Sequence, residues 1–324
     1  MNLETQLELF LPTYNRKRFL ANTLEQLTAP ESPVRNCQMT ILDNASTDGS
    51  AELLDEYAAK FPNIKVLHHA KNIGGNANIA RCFEMAKSKY VWVLCDDDKY
   101  DFSNWNECEQ LLAQNPPAIV VANYGKPEKG IAHLFRQLSF VPAAIYRTDF
   151  ITSDTLINMH FSISNLFPQL AVAAAAVNVQ PSLPILKKPL VTMQLNPGND
   201  SYLRGTDTQS AVHPLIKEMF WSLGYLRSIQ MLQDSKVKRA CAELVWAEDY
   251  SSFFSFCKRW GAITRKHFFV HYFEAIKLLH GKAKWKFMFF VPFAYFLFFY
   301  SDKKGLNICL FGFAKTRIWK YRNQ

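Results

Sequence analysis

Two spacings of apolar residues alternate along the first hundred positions. Residues 7–11 are a short, mostly apolar run closed by Pro12, as in a buried strand. Phe19, Leu20, Leu24 and Leu27 then recur at helical spacing, with Thr13 placed to cap that helix and Pro30, Ser32 and Pro33 to end it. The signals repeat: a strand at 39–42, a helix carrying Leu53, Leu54 and Tyr57, and a strand at 64–67. A helix carrying Ile79, Cys82, Phe83 and Met85 leads to a fourth strand at 90–94. This alternation predicts an α/β fold, a mostly parallel sheet flanked by its crossover helices. From residue 115 the pattern is less regular. Segments 119–122 and 143–146 read as further strands, 167–177 as a buried Ala-rich helix, and 213–260 as helical.

In such a sheet, ligands bind beyond the carboxyl ends of the strands. Four polar segments fall there, at 12–16, 43–48, 72–76 and 96–98. The second is rich in turn formers and N-cap residues, and the third opens a helix through a glycine-containing loop. The fourth, Asp96-Asp97-Asp98, directly follows Val91-Trp92-Val93-Leu94-Cys95. Carboxylates gathered at the end of a buried strand are costly unless a cation neutralises them. Hard cations such as Mg²⁺ and Mn²⁺ take oxygen ligands and bridge carboxylate to phosphate. Alone, the triplet would read as a solvated acidic turn. Its place beside three other polar loops points to a metal and phosphate site.

Pro12-Thr13-Tyr14-Asn15-Arg16, Asp43-Asn44-Ala45-Ser46-Thr47-Asp48-Gly49, Asn72-Ile73-Gly74-Gly75-Asn76 and Asp96-Asp97-Asp98 resemble the ordered signature of family 2 glycosyltransferases. The match covers residues 7–105, and within the family the sequence is most similar to bacterial enzymes of surface polysaccharide or lipopolysaccharide synthesis. The resemblance implies a GT-A, Rossmann-like domain over residues 1–205, with a nucleotide-binding half at 1–110 and an acceptor half at 111–205. It implies inverting transfer of a sugar from a nucleotide-sugar, a UDP-sugar on family grounds, to a glycan or glycolipid acceptor. A divalent Mn²⁺ or Mg²⁺ is the implied cofactor.

The resemblance also implies roles for single residues. Pro12, Thr13 and Tyr14 would line the nucleoside pocket, with Tyr14 packing on the base, while Arg16 approaches the diphosphate. Asp43 would accept hydrogen bonds from base or ribose, with Asn44 beside it. Asn72, Gly74 and Asn76 would shape the wall near the base. Asp96 and Asp97 would belong to the donor site, Asp96 at the ribose, and Asp98 would be the principal metal ligand. The family's general base is a carboxylate some 60–100 residues beyond the acidic motif. Here the corresponding stretch, 160–169, contains none. Asp149, Asp154, His160 and Asp200 are the nearest titratable residues, and Asp154 and His160 are the candidates for the catalytic base. A sugar-nucleotide nucleotidyltransferase shares this sheet, but its first loop is glycine-rich and residues 12–16 hold no glycine. An inactive nucleotide-binding homologue is the other alternative.

Charge divides the chain. Residues 258–324 hold fourteen Lys or Arg against Glu274 and Asp302, whereas the whole chain has a net charge of +9, so the remainder is slightly acidic. The basic segment, part of an expected helical C-terminal region at 206–324, contains the uninterrupted apolar run 287–300 flanked by lysines. That is shorter than the ~20 residues of a spanning helix. Attachment to an anionic membrane surface is expected, with a buried core helix and a true span as alternatives. Nucleic acid is not an expected partner, because the basic residues interleave with too much apolar surface. The start, Met1-Asn2-Leu3-Glu4, lacks the features of a signal peptide, and the seven cysteines are scattered and never spaced as CxxC. Both point to reduced thiols and residence on the cytoplasmic side, which together with the tail gives an expected peripheral location on the cytoplasmic face of the inner membrane.

Overall fold

The computed structural model describes residues 3–122, 129–194, 214–251, 265–299, 306–310 and 314–319. β1 (Leu7–Thr13), β2 (Gln38–Asp43), β3 (Ile64–His68) and β4 (Tyr90–Val93) lie parallel in the order β3-β2-β1-β4. Their crossovers are α1 (Lys17–Thr28), α2 (Ser50–Lys60) and α3 (Gly75–Met85). All four residues of β4 are buried, as in a strand covered on both faces. Glu8, a carboxylate within buried β1, is accommodated because it accepts the backbone N–H groups of Lys87 and Ser88.

After β4 come β5 (Lys99–Tyr100) and α4 (Trp105–Ala113). β6 (Ala118–Val120), α5 (Ile131–Gln137) and β7 (Ala144–Arg147) follow; β7 and β6 extend the sheet beyond β4 with antiparallel pairing. α6 (Ser153–Phe161), a 3₁₀ turn at Ser162–Asn165 and α7 (Gln169–Val179) lead to β8 (Val191–Thr192), which pairs antiparallel with β5. α7 is buried almost throughout, in keeping with its Ala-rich sequence.

The C-terminal region comprises α8 (Pro214–Ile229), α9 (Ser235–Val245), a π-helical turn at Trp246–Tyr250, α10 (Arg265–Leu278) and α11 (Gly281–Phe299). It ends in an antiparallel hairpin of β9 (Leu306–Leu310) and β10 (Ala314–Trp319). The region is therefore not helical throughout. The alternation in Ala314-Lys315-Thr316-Arg317-Ile318 carries the period of two that marks a strand. The expected boundary at 205/206 lies outside the described residues.

One local expectation is also corrected. Thr13 does not cap α1. β1 continues through Pro12, which pairs with Leu42, to Thr13, which pairs with Asp43, and the residue before α1 is Arg16. Cys37, Cys82, Cys95, Cys108 and Cys241 are all free thiols. Burial pushes Cys37, Cys108 and Cys241 up to about 12, so these stay protonated and inert.

Candidate active site

Parallel pairing of β1 with β2 and β4 brings three of the four polar segments to one edge. Asp96 is 8% exposed, and its Oδ2 accepts a 2.6 Å hydrogen bond from Thr13 Oγ1. Its backbone carbonyl accepts one from Thr23 Oγ1 at 2.9 Å. Arg16 Nη1 stands 3.3 Å from Asp97 Oδ2. Asp98 is 3% exposed and its Oδ1 accepts the backbone N–H of Gln194 at 3.1 Å. The β5–β8 pair delivers Gln194 to this place from far along the chain. Asp98 Oδ2, in contrast, is buried without a hydrogen-bond partner. Burial pushes both the Asp96 and Asp98 carboxyls up to about 7.

An unpartnered buried carboxylate oxygen beside a second buried carboxylate suits a hard cation. Among the described residues no three His, Cys, Asp or Glu side chains gather as a metal cluster. Asp98 would therefore share the coordination of an ion with ligand oxygens and water, the usual arrangement for Mg²⁺ at phosphates.

The neighbouring loops are cross-tied. Asn15 N–H donates to Ser46 Oγ at 2.9 Å, and Thr47 N–H returns a bond to Asn15 Oδ1 at 2.7 Å. Asp48 accepts from the backbone of Lys17 at 3.0 Å and from the Ser50 hydroxyl at 2.6 Å. Gly49 between them has φ 87°, a left-handed conformation that favours glycine. Asn44 Nδ2 donates to Asn72 Oδ1 at 2.9 Å, while Asn44 Oδ1 accepts Ile73 N–H at 2.9 Å. Gly74 N–H adds a bond to Asn72 Oδ1 at 2.8 Å. Pro12 and Tyr14 sit half-buried on the same edge.

Asp43 is 1% exposed. Its Oδ1 accepts Ser46 N–H at 3.1 Å, and its Oδ2 lies 2.8 Å from His68 Nδ1. The other ring nitrogen of His68 is 3.2 Å from Asp55 Oδ1. An imidazole between two carboxylates satisfies both only as the imidazolium, and the bond to Asp43 raises the His68 pKa.

The turn 162–165 packs beside the last of these loops. Asn76 Nδ2 donates to Ile163 O at 2.9 Å, joining the 72–76 loop to that turn. From the other side Arg227 Nη1 donates to Asn165 Oδ1 at 2.9 Å and forms an ion pair with Glu274. Gly224 of α8 packs so closely that a Cβ there would lie 2.0 Å from Asn165 O.

Both base candidates, Asp154 and His160, are exposed on α6 and have no hydrogen-bond partner among the described residues. His160 is three residues from Ile163, whereas Asp154 is nine away, about 13 Å along the helix. Asp149 is paired with Arg147 at 2.8 Å. Asp200 lies outside the described residues. The structure thus brings together Thr13, Arg16, Asp96, Asp97 and Asp98, and links Asp43, Asn44, Asn72, Gly74 and Asn76 in one wall. His68 joins Asp43, Thr23 joins Asp96 and Gln194 joins Asp98, while Gly224 and Arg227 pack on the 162–165 turn. Sequence reasoning missed them because no local motif marks them; their partners are distant in the chain.

The sequence model of Glycosyl transferase family 2 matches residues 9–170. The abequosyltransferase RfbV of Salmonella typhimurium is 31% identical over 90 residues, 27% of this chain and 27% of its own length. The putative teichuronic acid biosynthesis glycosyltransferase TuaG of Bacillus subtilis is 27% identical over 123 residues, 38% of this chain and 48% of its own. The chain thus spans under half the length of both relatives. Among solved structures, S. aureus TarS residues 1–349 superpose with a TM-score of 0.63 at 14% identity, covering 98% of this chain and 100% of that one. The mannosyltransferase PcManGT of Pyrobaculum calidifontis, in complex with GDP-Man and Mn²⁺, gives a TM-score of 0.52 at 9% identity over 92% of this chain and 88% of its own. These likenesses establish the GT-A-like fold. Half of the chain lies within the family's sequence model, and the four polar segments meet at one sheet edge: the protein is a glycosyltransferase of family 2.

Proposed function

We propose that this enzyme transfers a sugar from a UDP-sugar to a surface-glycan acceptor, lipid-linked and presented at the cytoplasmic face of the inner membrane, with inversion at the anomeric carbon. The observation that carries the reading is the pair Asp96 and Asp98, two buried carboxyls at the end of β4, one with a free oxygen. A bound Mn²⁺ or Mg²⁺ would supply charge neutralisation for the departing diphosphate. Asp98 is the residue that would hold it. In this reading Arg16, ion-paired with Asp97, meets the diphosphate, and Asp96, held by Thr13, accepts from the ribose. Asp43 accepts from the base, with Pro12, Tyr14, Asn44 and the 72–76 loop closing the pocket.

The S. aureus TarS fragment was solved with UDP-GlcNAc, which supports a UDP-sugar donor. The Mn²⁺ in PcManGT supports the metal. RfbV and TuaG support a bacterial surface glycan as the product.

In the single displacement, the acceptor hydroxyl oxygen bonds to the anomeric carbon as the bond to the diphosphate breaks. The hydroxyl proton passes to a base. Of the two candidates, His160 lies beside the turn that Asn76 ties to the donor loops, and Asp154 lies two turns farther along α6. His160 is therefore assigned the base and Asp154 is the second choice. A transfer assay with UDP-, GDP-, CDP- and dTDP-sugars, on native chain and His160→Ala, tests both parts. Release of UDP alone, with turnover falling about 10²–10⁴-fold in the variant, supports them. Preference for another nucleotide would sink the donor assignment, and full activity of His160→Ala the base.

A further inference from the structure

Among the described residues ten large apolar side chains stand exposed, and six of them share two neighbouring helices. They are Phe269, Val270 and Phe273 on α10, and Trp285, Phe289 and Phe293 on α11. On α11 the three recur every four residues and form one stripe. The opposite stripe, Ala283, Phe287 and Val291, is fully buried. Phe287 meets Tyr250 edge-on at 4.9 Å and stacks on Tyr272 of α10 at 5.6 Å. α11 therefore has two apolar faces, one committed to the core and one left to water. The apolar run seen in the sequence serves both.

Charge says what covers the second face. Lys282 and Lys286 lie on the Trp285 side of α11, and Lys277 is exposed on α10. The nearby carboxylates are already engaged, Glu243 with Lys286 at 3.1 Å and Glu274 with Arg227. A second copy of the chain would meet this face with the same lysines, like against like. An anionic lipid surface offers both an apolar boundary for the rings and phosphates for the lysines. Among the described residues no helix is long and apolar enough to cross a membrane. A helix of 19 residues interrupted by Pro292 fits a surface-lying element instead, about 28 Å long.

We propose that α10 and α11 dock the enzyme on an anionic bilayer surface. The Trp285–Phe289–Phe293 stripe and the Phe269–Phe273 pair sit at the headgroup boundary, and the lysines lie against lipid phosphate. This extends the membrane-side part of the proposed function and does not depend on the donor assignment.

The test uses the full chain, sedimented with vesicles of phosphatidylcholine alone or with phosphatidylglycerol as roughly a third of the lipid. Native protein should sediment with the anionic vesicles, less so in high salt. The exposed double substitution Phe289→Ser/Phe293→Ser should lower binding by about tenfold or more. Lys277→Gln/Lys282→Gln should lower it a few-fold and flatten the salt dependence. Equal binding to both vesicle types, or native binding by the Phe variant, overturns the proposal. So does a dimer that the Phe substitutions dissociate, with no vesicle binding. UDP binding, measured on the same samples, keeps the two readings separable: its failure with vesicle binding intact would count against the donor site alone.

Discussion

The two walls of the candidate site are built in opposite ways. One wall is assembled from βα loops that tie to one another: Asn15 to Ser46 and Thr47, Asp48 to Lys17, Asn44 to Asn72 and Ile73. These ties join consecutive βα connections of one sheet, so the parallel pairing alone brings them together. The turn at 162–165 lies outside those βα connections. It is held from outside, by Asn76 on one side and by Arg227 and Gly224 of the C-terminal helices on the other. The first wall is thus a property of the sheet, and the second a property of packing against the C-terminal helices.

That contrast can be broken most severely at Gly224. A methyl group there collides with a backbone carbonyl, which cannot swing aside as a flexible side chain could. Gly224→Ala should cost about 3 kcal/mol in denaturant unfolding and should lower acceptor transfer more than UDP affinity. Equal loss of both would show that the two walls are not separate. Next in size is Thr13→Val, which keeps the shape and removes the hydroxyl donating to Asp96. A buried carboxylate oxygen left without its donor costs about 1–3 kcal/mol, and here UDP affinity should fall with stability. A variant as stable as the native chain would mean that the bond contributes nothing.

The smallest effect belongs to His68. Asp43 raises its pKa in the folded state, so its contribution is complete below the unfolded value of about 6.5 and is lost as pH rises through the folded one. The ring is 37% exposed, which limits the effect to under about 1 kcal/mol. Melts of native protein and His68→Gln should differ at pH 5.5 and converge by pH 8.5. A constant gap would show that packing, not the proton, is what His68 supplies.

The same contrast explains what the sequence could tell. The strand–helix alternation and the four loop motifs are local, and every loop fell at the sheet edge where the pattern put it. Local spacing makes Thr13 read as a cap because it cannot reveal Asp96, 83 residues on, as the partner of its hydroxyl. Gln194 at Asp98, His68 at Asp43 and Arg227 at Asn165 were invisible for the same reason. The missing carboxylate near 165 was legible; the glycine and arginine that fix that turn were not. In the tail, composition marks an apolar, basic segment, but only the burial of Phe287 and Val291 and the exposure of Phe289 and Phe293 divide it into two faces.

The central claim is that Asp98 completes a metal and diphosphate site. Burial sets both Asp96 and Asp98 near 7 in the folded chain, against 3.8 ordinarily. Their ionisation therefore opposes folding as pH rises between those values, and a cation replacing the protons should reverse that loss. The decisive measurement is a thermal-shift comparison of native protein and Asp98→Asn with UDP, with and without Mn²⁺, at pH 6 and pH 8. At about 100 times its dissociation constant UDP should stabilise the native chain by about 2.7 kcal/mol, only with Mn²⁺ and more at pH 8, and Asp98→Asn should show none of it. UDP stabilisation that needs no metal, or that survives in Asp98→Asn, would contradict the account.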